Sequence, residues 1–175
     1  TLAFVHAETS TGVRSDAETL CQLAKQYDAL TIMDTVTSLG GIDVQVDQWG
    51  ADAVYSGTQD GLYCVRALAP TPFRPEAIKR ISSRATKVQS WFLDMQLVMG
   101  YWAGDAKRAY HHTAPVNAMY ALHESLLMLE EEGLEASFAR HQKNHEQLVA
   151  GLEHLGLAMA VDRPWRLPQL NSILI

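Results

Sequence analysis

The stretch TLAFVHAETSTGVRSDAETLCQLAKQYDALTIMD, residues 1–34, decides the fold class. Leu2 to His6 is an apolar run of strand length, and ETSTG after it is a polar loop at the strand's end. Ser15-Asp16-Ala17-Glu18 fits a capping box, with Ser15 as N-cap and Glu18 reaching back. Leu20, Leu23, Ala24 and Tyr27 then give a helical apolar stripe. ALTIMD (29–34) is a second strand, continuously apolar, as expected of a sheet covered on both faces. Strand, helix and strand within some thirty residues make a βαβ unit, so this half is α/β with a mostly parallel sheet and flanking helices. ADAVYSG and GLYCV supply further short strands.

PTPFRP (70–75) reads as a proline-rich loop leading into a helix over 76–82, and 91–101 as an apolar helix. YHHTAP (110–115) is a loop whose proline suits a helix start. Long helices follow over 116–132 and 134–155, separated by Gly133, the second with a charged face, RHQKNHEQ. Strands near 157–161 and 170–175 begin a smaller α+β lobe. The expected division is a large domain over 1–132 and the start of a small C-terminal domain over 133–175.

Of the 175 residues 47% are hydrophobic and 19% charged, a globular balance with enough chain for a real core. The net charge of −6 and pI near 5.6 speak against nucleic acid or an anionic membrane as partner. No apolar run approaches the ~20 residues needed to span a bilayer. Cys21 falls on a helix and Cys64 on a strand, so two reduced thiols and a cytoplasmic location are expected. Both ends read as cut, on core strands without partners. The chain is therefore expected to be an internal fragment, with any peroxisomal or mitochondrial address lying outside it.

Ligands of open α/β sheets bind outside the carboxyl ends of the strands. Three such ends are polar here: Thr9-Ser10-Thr11-Gly12, Asp34, and Ser56-Gly57-Thr58-Gln59-Asp60. An acid closing an apolar strand costs desolvation unless a cation or a donor meets it. Alone, Asp34 reads as the cap of a neighbouring loop or helix; with the other two ends it reads as one wall of a shared ligand site. His111-His112 beside Asp105 lack a third ligand at metal spacing, so no metal is expected. Ser56 lacks the Gly-x-Ser-x-Gly elbow of hydrolases, and no Gly-x-Gly-x-x-Gly precedes Asp34. His6 reads as a loop-organising hydrogen-bonder, LEEEGLE as a solvated helix end, and the apolar residues of 91–99 as core or dimer interface.

HAETSTG (6–12), DTVTSLGG (34–41), ADAVYSGTQ (51–59), KVQSWFLD (87–94) and YHHTAP (110–115), in this order, resemble the class V pyridoxal-phosphate aminotransferases, especially the alanine–glyoxylate and serine–pyruvate group. The resemblance implies a fold-type I transferase and pyridoxal 5′-phosphate as cofactor. The implied reaction moves an amino group from a small amino acid, alanine or serine, to a 2-oxo acid, glyoxylate or pyruvate. Asp34 would pair with the pyridine nitrogen and favour the protonated, electron-accepting ring. Val36 would pack on a ring face, Thr9 would lie near the ring hydroxyl and phosphate side, and Gln59 would help hold the phosphate. Gly57 would allow close backbone approach. Tyr110 and Thr113 would reach the phosphate of a partner subunit, which implies a homodimer with composite sites.

One position departs from the family. There SGTQ is followed by a lysine that forms an imine with the cofactor and moves the proton at the substrate α-carbon. Here that position is Asp60, which cannot form an imine, so covalent attachment is not expected. Losing the acid–base group alone typically costs about 10²- to 10⁴-fold. By the same resemblance Asp60 would also face the phosphate with like charge. Two unit charges ~5 Å apart at an effective dielectric of ~20 repel by roughly 3 kcal/mol. Lys79 and Lys87 follow no strand end and do not replace the missing amine. Arg66-Ala67 stand where the family often has Pro-Gly, so the following turn is expected to differ. The alternative reading is a non-catalytic pseudoenzyme or structural dimer subunit that keeps the fold.

Overall fold

The computed structural model describes residues 1–102 and 109–175. Strand β1 (Leu2–Val5) and strand β4 (Thr31–Asp34) pair in parallel, with Leu2 opposite Thr31 and Val5 opposite Asp34. Helix α1 (Ala17–Gln26) is the crossover between them. Strand β5 (Ala53–Tyr55) continues the sheet on the far side of β4, with Asp34 opposite Tyr55, so the order is β1-β4-β5. The expected α/β class and parallel sheet are therefore present, and all three strands end at one edge.

Three local readings are corrected. The N-cap of α1 is Asp16, whose carboxylate accepts from Thr19 N–H at 3.1 Å and Thr19 O–H at 2.8 Å. Ser15 instead donates its hydroxyl to the carbonyl of Val5 at 2.8 Å, tying the helix start to the end of β1. The buried stripe of α1 is Ala17, Cys21 and Ala24, while Leu23 and Tyr27 face out. Small residues let the helix sit close against Met33, which is fully buried in a cluster with Ala51 and Val54. The ETSTG loop is a tight ribbon in which β2 (Ala7–Glu8) pairs antiparallel with β3 (Val13–Arg14).

Coverage of the sheet is one-sided among the described residues. Met33 and Thr31 point to the buried face, whereas Ile32 is 39% exposed. The continuous apolar character of ALTIMD thus overstated the covering, because α1 packs against the Met33 side. Buried Asp52 accepts from Thr31 N–H at 2.9 Å and its hydroxyl at 3.1 Å, and Asp52 N–H donates back to Thr31 Oγ1 at 2.8 Å. That closed exchange satisfies a carboxylate that would otherwise be costly in the interior, and it sets the β4–β5 register.

GLYCV is a turn and irregular chain, not a strand. Tyr63 has a positive φ of 55°, outside the strand region. The far edge of β5 is instead met antiparallel by the proline-rich segment: Val54 N–H donates to the Pro72 carbonyl at 3.1 Å and Ser56 N–H to the Pro70 carbonyl at 3.0 Å. Prolines supply carbonyls and no N–H, so they pair on one side and blunt the sheet edge.

Short helix α2 (Val46–Trp49) precedes β5, and α3 (Pro75–Ser82) and α4 (Met95–Trp102) follow the proline segment. The long hairpin of α5 (Val116–Glu132) and α6 (Leu134–His154) breaks at Gly133 as expected. Within RHQKNHEQ, His145 is buried and hydrogen-bonded to Asn171 Oδ1 at 2.6 Å, so that face is only partly solvated. Strands β6 (Ala158–Met159) and β7 (Ile173–Leu174) pair antiparallel at the end of the chain. Trp91, Phe92 and Leu93 are exposed and form no core; the ring of Trp91 instead stacks near His111 and His112.

Candidate functional site

The ends of β4 and β5 build the site. Asp34, the last residue of β4, accepts Val36 N–H on Oδ1 at 2.8 Å and the Tyr55 hydroxyl on Oδ2 at 2.7 Å. The first bond is an Asx-type turn that starts the loop 35–41. The second crosses to the paired residue of β5. Tyr55 is held above the ordinary phenol pKa, chiefly because it donates to Asp34, then through burial and the carboxylate's charge.

Below Asp34, Thr35 and Ser56 lock the two strand ends. Thr35 N–H and O–H both donate to the Tyr55 carbonyl, and Ser56 O–H donates to the Thr35 carbonyl at 3.1 Å. Buried Thr58 donates to the Val65 carbonyl at 2.6 Å and closes the loop after β5. The two loops then cross at a pair of glycines. A Cβ on Gly40, whose φ is +81°, would lie 2.6 Å from the Gly61 carbonyl oxygen, and one on Gly61 would strike the Leu39 carbonyl. This backbone contact sets residue 60 beside the Thr37 loop.

Thr37, 5% exposed, joins the three polar ends. Its hydroxyl is 2.7 Å from that of Thr9 and 3.4 Å from Asp60 Oδ2. Gln169, from the far end of the chain, donates to the Thr37 carbonyl at 2.9 Å. Thr9, Thr37 and Asp60 thus form one polar row, with Asp34 and Tyr55 on the neighbouring strand ends. Val36 is half-buried between them in sequence. Gln59 folds its amide against Gly57, and among the described residues that amide makes no hydrogen bond. Asp60 is exposed.

Tyr110 and Thr113 stand apart. Tyr110 is 71% exposed and meets Tyr101 edge-on at 6.0 Å, Thr113 is exposed, and neither hydrogen-bonds to this group among the described residues. Asp105 lies outside the described residues; His111 and His112 pack on each other and on Trp91, with His111 Nε2 2.9 Å from the Trp91 carbonyl. Sequence reasoning missed Thr37, Tyr55 and Gln169. Thr37 sat within a quoted motif and Tyr55 faced Asp34 by strand register, whereas Gln169 is 132 residues from its partner and carried no signal.

The arrangement suits a ring with a protonated nitrogen and an anionic tail. Each Asp34 oxygen keeps a further lone pair for a pyridinium N–H, and at the same sheet edge the Gln59 amide offers donors while Thr9, whose proton goes to Thr37 as Thr37 donates to Asp60, offers hydroxyl lone pairs. It lacks a primary amine at residue 60. Pyridoxal phosphate therefore fits the noncovalent part of the site and not its covalent attachment.

The description of the class-V aminotransferases matches residues 1–173, and the chain belongs to this family. It is 39% identical over 176 residues to an alanine–glyoxylate aminotransferase of Oryctolagus cuniculus, a match covering 99% of this chain and 45% of that protein. Among solved structures it superposes on an alanine–glyoxylate aminotransferase from Nostoc sp. with a TM-score of 0.94 at 45% identity, covering 99% of this chain and 46% of that one. A ureidoglycine–glyoxylate aminotransferase from Bacillus subtilis gives 0.92 at 34% identity, covering 99% and 44%. The chain spans just under half the length of these relatives. Members of the family use pyridoxal phosphate. No described helix is long and apolar enough to cross a membrane.

Proposed function

We propose that residues 1–175 form the cofactor-binding part of an aminotransferase acting on a small amino acid, alanine or serine, and a 2-oxo acid, glyoxylate or pyruvate. The observation that carries this reading is the Asp34 carboxylate, presented at the strand ends between Val36 N–H and the Tyr55 hydroxyl. Pyridoxal phosphate, when bound, supplies an electron sink for the amino-acid α-carbon. Asp34 would keep the ring nitrogen protonated, Val36 would cover a ring face, and Thr9 and Gln59 would hold the hydroxyl and phosphate. Relatives named for glyoxylate support that acceptor, and they favour a catalytic chain over a purely structural subunit. We extend the proposal to a homodimer in which Tyr110 and Thr113 face the partner's phosphate, and to a large domain over 1–132 followed by the start of a small one.

Asp60 sets the expected rate. Without an amine at this position no side chain of the row can form the imine and relay the α-proton as that amine does, and turnover should be low. The test is the alanine-to-glyoxylate reaction in the full-length protein and in its Asp60→Lys variant. The variant should be about 10²-fold faster or more, and borohydride should fix a cofactor mass only on the variant. Equal rates, or a fixed mass on the unaltered chain, would overturn the assignment of position 60.

A further inference from the structure

Asp60 is a carboxylate held in place by backbone, not by a counter-charge. The Gly40–Gly61 crossing fixes its turn, and Tyr63 N–H donates to its carbonyl at 3.0 Å. Among the described residues its side chain has one hydrogen-bond partner, the Thr37 hydroxyl at 3.4 Å, which is itself bonded to Thr9. Among the described residues no lysine, arginine or histidine lies within ion-pair distance of it. The carboxylate therefore stands exposed at the sheet edge that also carries a second carboxylate, Asp34.

We propose that Asp60 selects the amine form of the cofactor, pyridoxamine 5′-phosphate, which the site holds without a covalent bond. The inference rests on the aminotransferase reading above. Side-chain reach supports it. An aspartate oxygen stops about 3 Å short of where an extended lysine nitrogen ends, which is one N–H···O separation. The nitrogen of an aminomethyl group would then occupy the place of the absent lysine nitrogen, hydrogen-bonded to Asp60. Donor chemistry supports it as well. An ammonium offers three donors to a carboxylate, whereas an aldehyde oxygen offers none and sets acceptor against acceptor. Charge adds to this, because the ammonium offsets the repulsion between Asp60 and the phosphate.

The test uses the full-length protein freed of bound cofactor. Pyridoxamine 5′-phosphate and pyridoxal 5′-phosphate are titrated separately by calorimetry near neutral pH, with Asp60→Asn and Asp60→Lys alongside. The amine form should bind the unaltered protein about tenfold tighter or more, as one charge-assisted hydrogen bond predicts. Asp60→Asn should bind both forms with the preference gone. Asp60→Lys should reverse it, with a borohydride-fixed mass gain from the aldehyde form. Equal affinities in the unaltered protein, or a preference that survives in Asp60→Asn, would overturn amine selection and leave the cofactor site standing. Binding of neither form to the unaltered protein also overturns it. If Asp60→Lys too binds neither form, the aminotransferase reading falls with it.

Discussion

The Tyr55 hydroxyl stands 2.7 Å from Asp34 Oδ2, across the register pair that ends the parallel sheet. The bond stabilises the carboxylate that the cofactor ring would meet, and it raises the phenol above its usual pKa because ionisation would forfeit the donor beside a negative charge. Asp34→Asn should therefore bring Tyr55 back down toward about 10, leaving the other five tyrosines unchanged. Carbon NMR of ring-labelled tyrosine, titrated at high pH, reads each phenol separately. An unmoved Tyr55 titration would show that the pair does not persist in solution.

Gly61→Ala tests the crossing that places residue 60. The added methyl meets the Leu39 carbonyl, a backbone atom that cannot rotate away, so the loops must part. Overpacking of this kind costs about 1–3 kcal/mol, and here it should also displace Asp60 from Thr37. Gly151→Ala is the control. It lies in α6 with no heavy atom within 4 Å of the new Cβ, and it should stabilise by up to about 1 kcal/mol. Urea denaturation of the two variants should move in opposite directions; a neutral Gly61→Ala would mean that the loops are not in contact.

The sheet and the long helices were legible because periodicity and punctuation agree there. Apolar runs of strand length flank a capped helix, and Gly133 divides α5 from α6. What misled was local chemistry whose outcome depends on distant partners. Ser15 and Asp16 are both good caps, and the Val5 carbonyl, ten residues away, takes Ser15. GLYCV has strand-like composition, yet Tyr63 at positive φ turns the chain, with its phenol 3.1 Å from Arg140 and 3.0 Å from His141 on α6. Asp34 and Asp60 were legible as site positions from their strand ends. Gln169 was not, because nothing in the order of residues announces a contact made through the tertiary fold.

His6, at the end of β1, carries a pH dependence. It is 2% exposed, its ring meets Trp49 edge-on at 5.1 Å, and among the described residues its Nδ1 has no hydrogen-bond partner. The expected hydrogen-bonding role falls to its backbone, which donates to the Asp34 carbonyl and accepts from Ser15 N–H. Burial, and secondarily the charge of Arg14, lower the imidazole from 6.5 to about 4. The folded chain thus keeps His6 neutral while the unfolded chain takes up a proton below about 6.5. The contribution is full above that pH and is lost as pH falls toward about 4, to a total of roughly 3 kcal/mol. His6→Phe keeps a flat ring against Trp49 and removes the titration. Measured by urea denaturation between neutral pH and about pH 4.5, the variant should lose roughly 2–3 kcal/mol less than the unaltered protein. Parallel losses would mean that water reaches the ring and that His6 protonates within the fold.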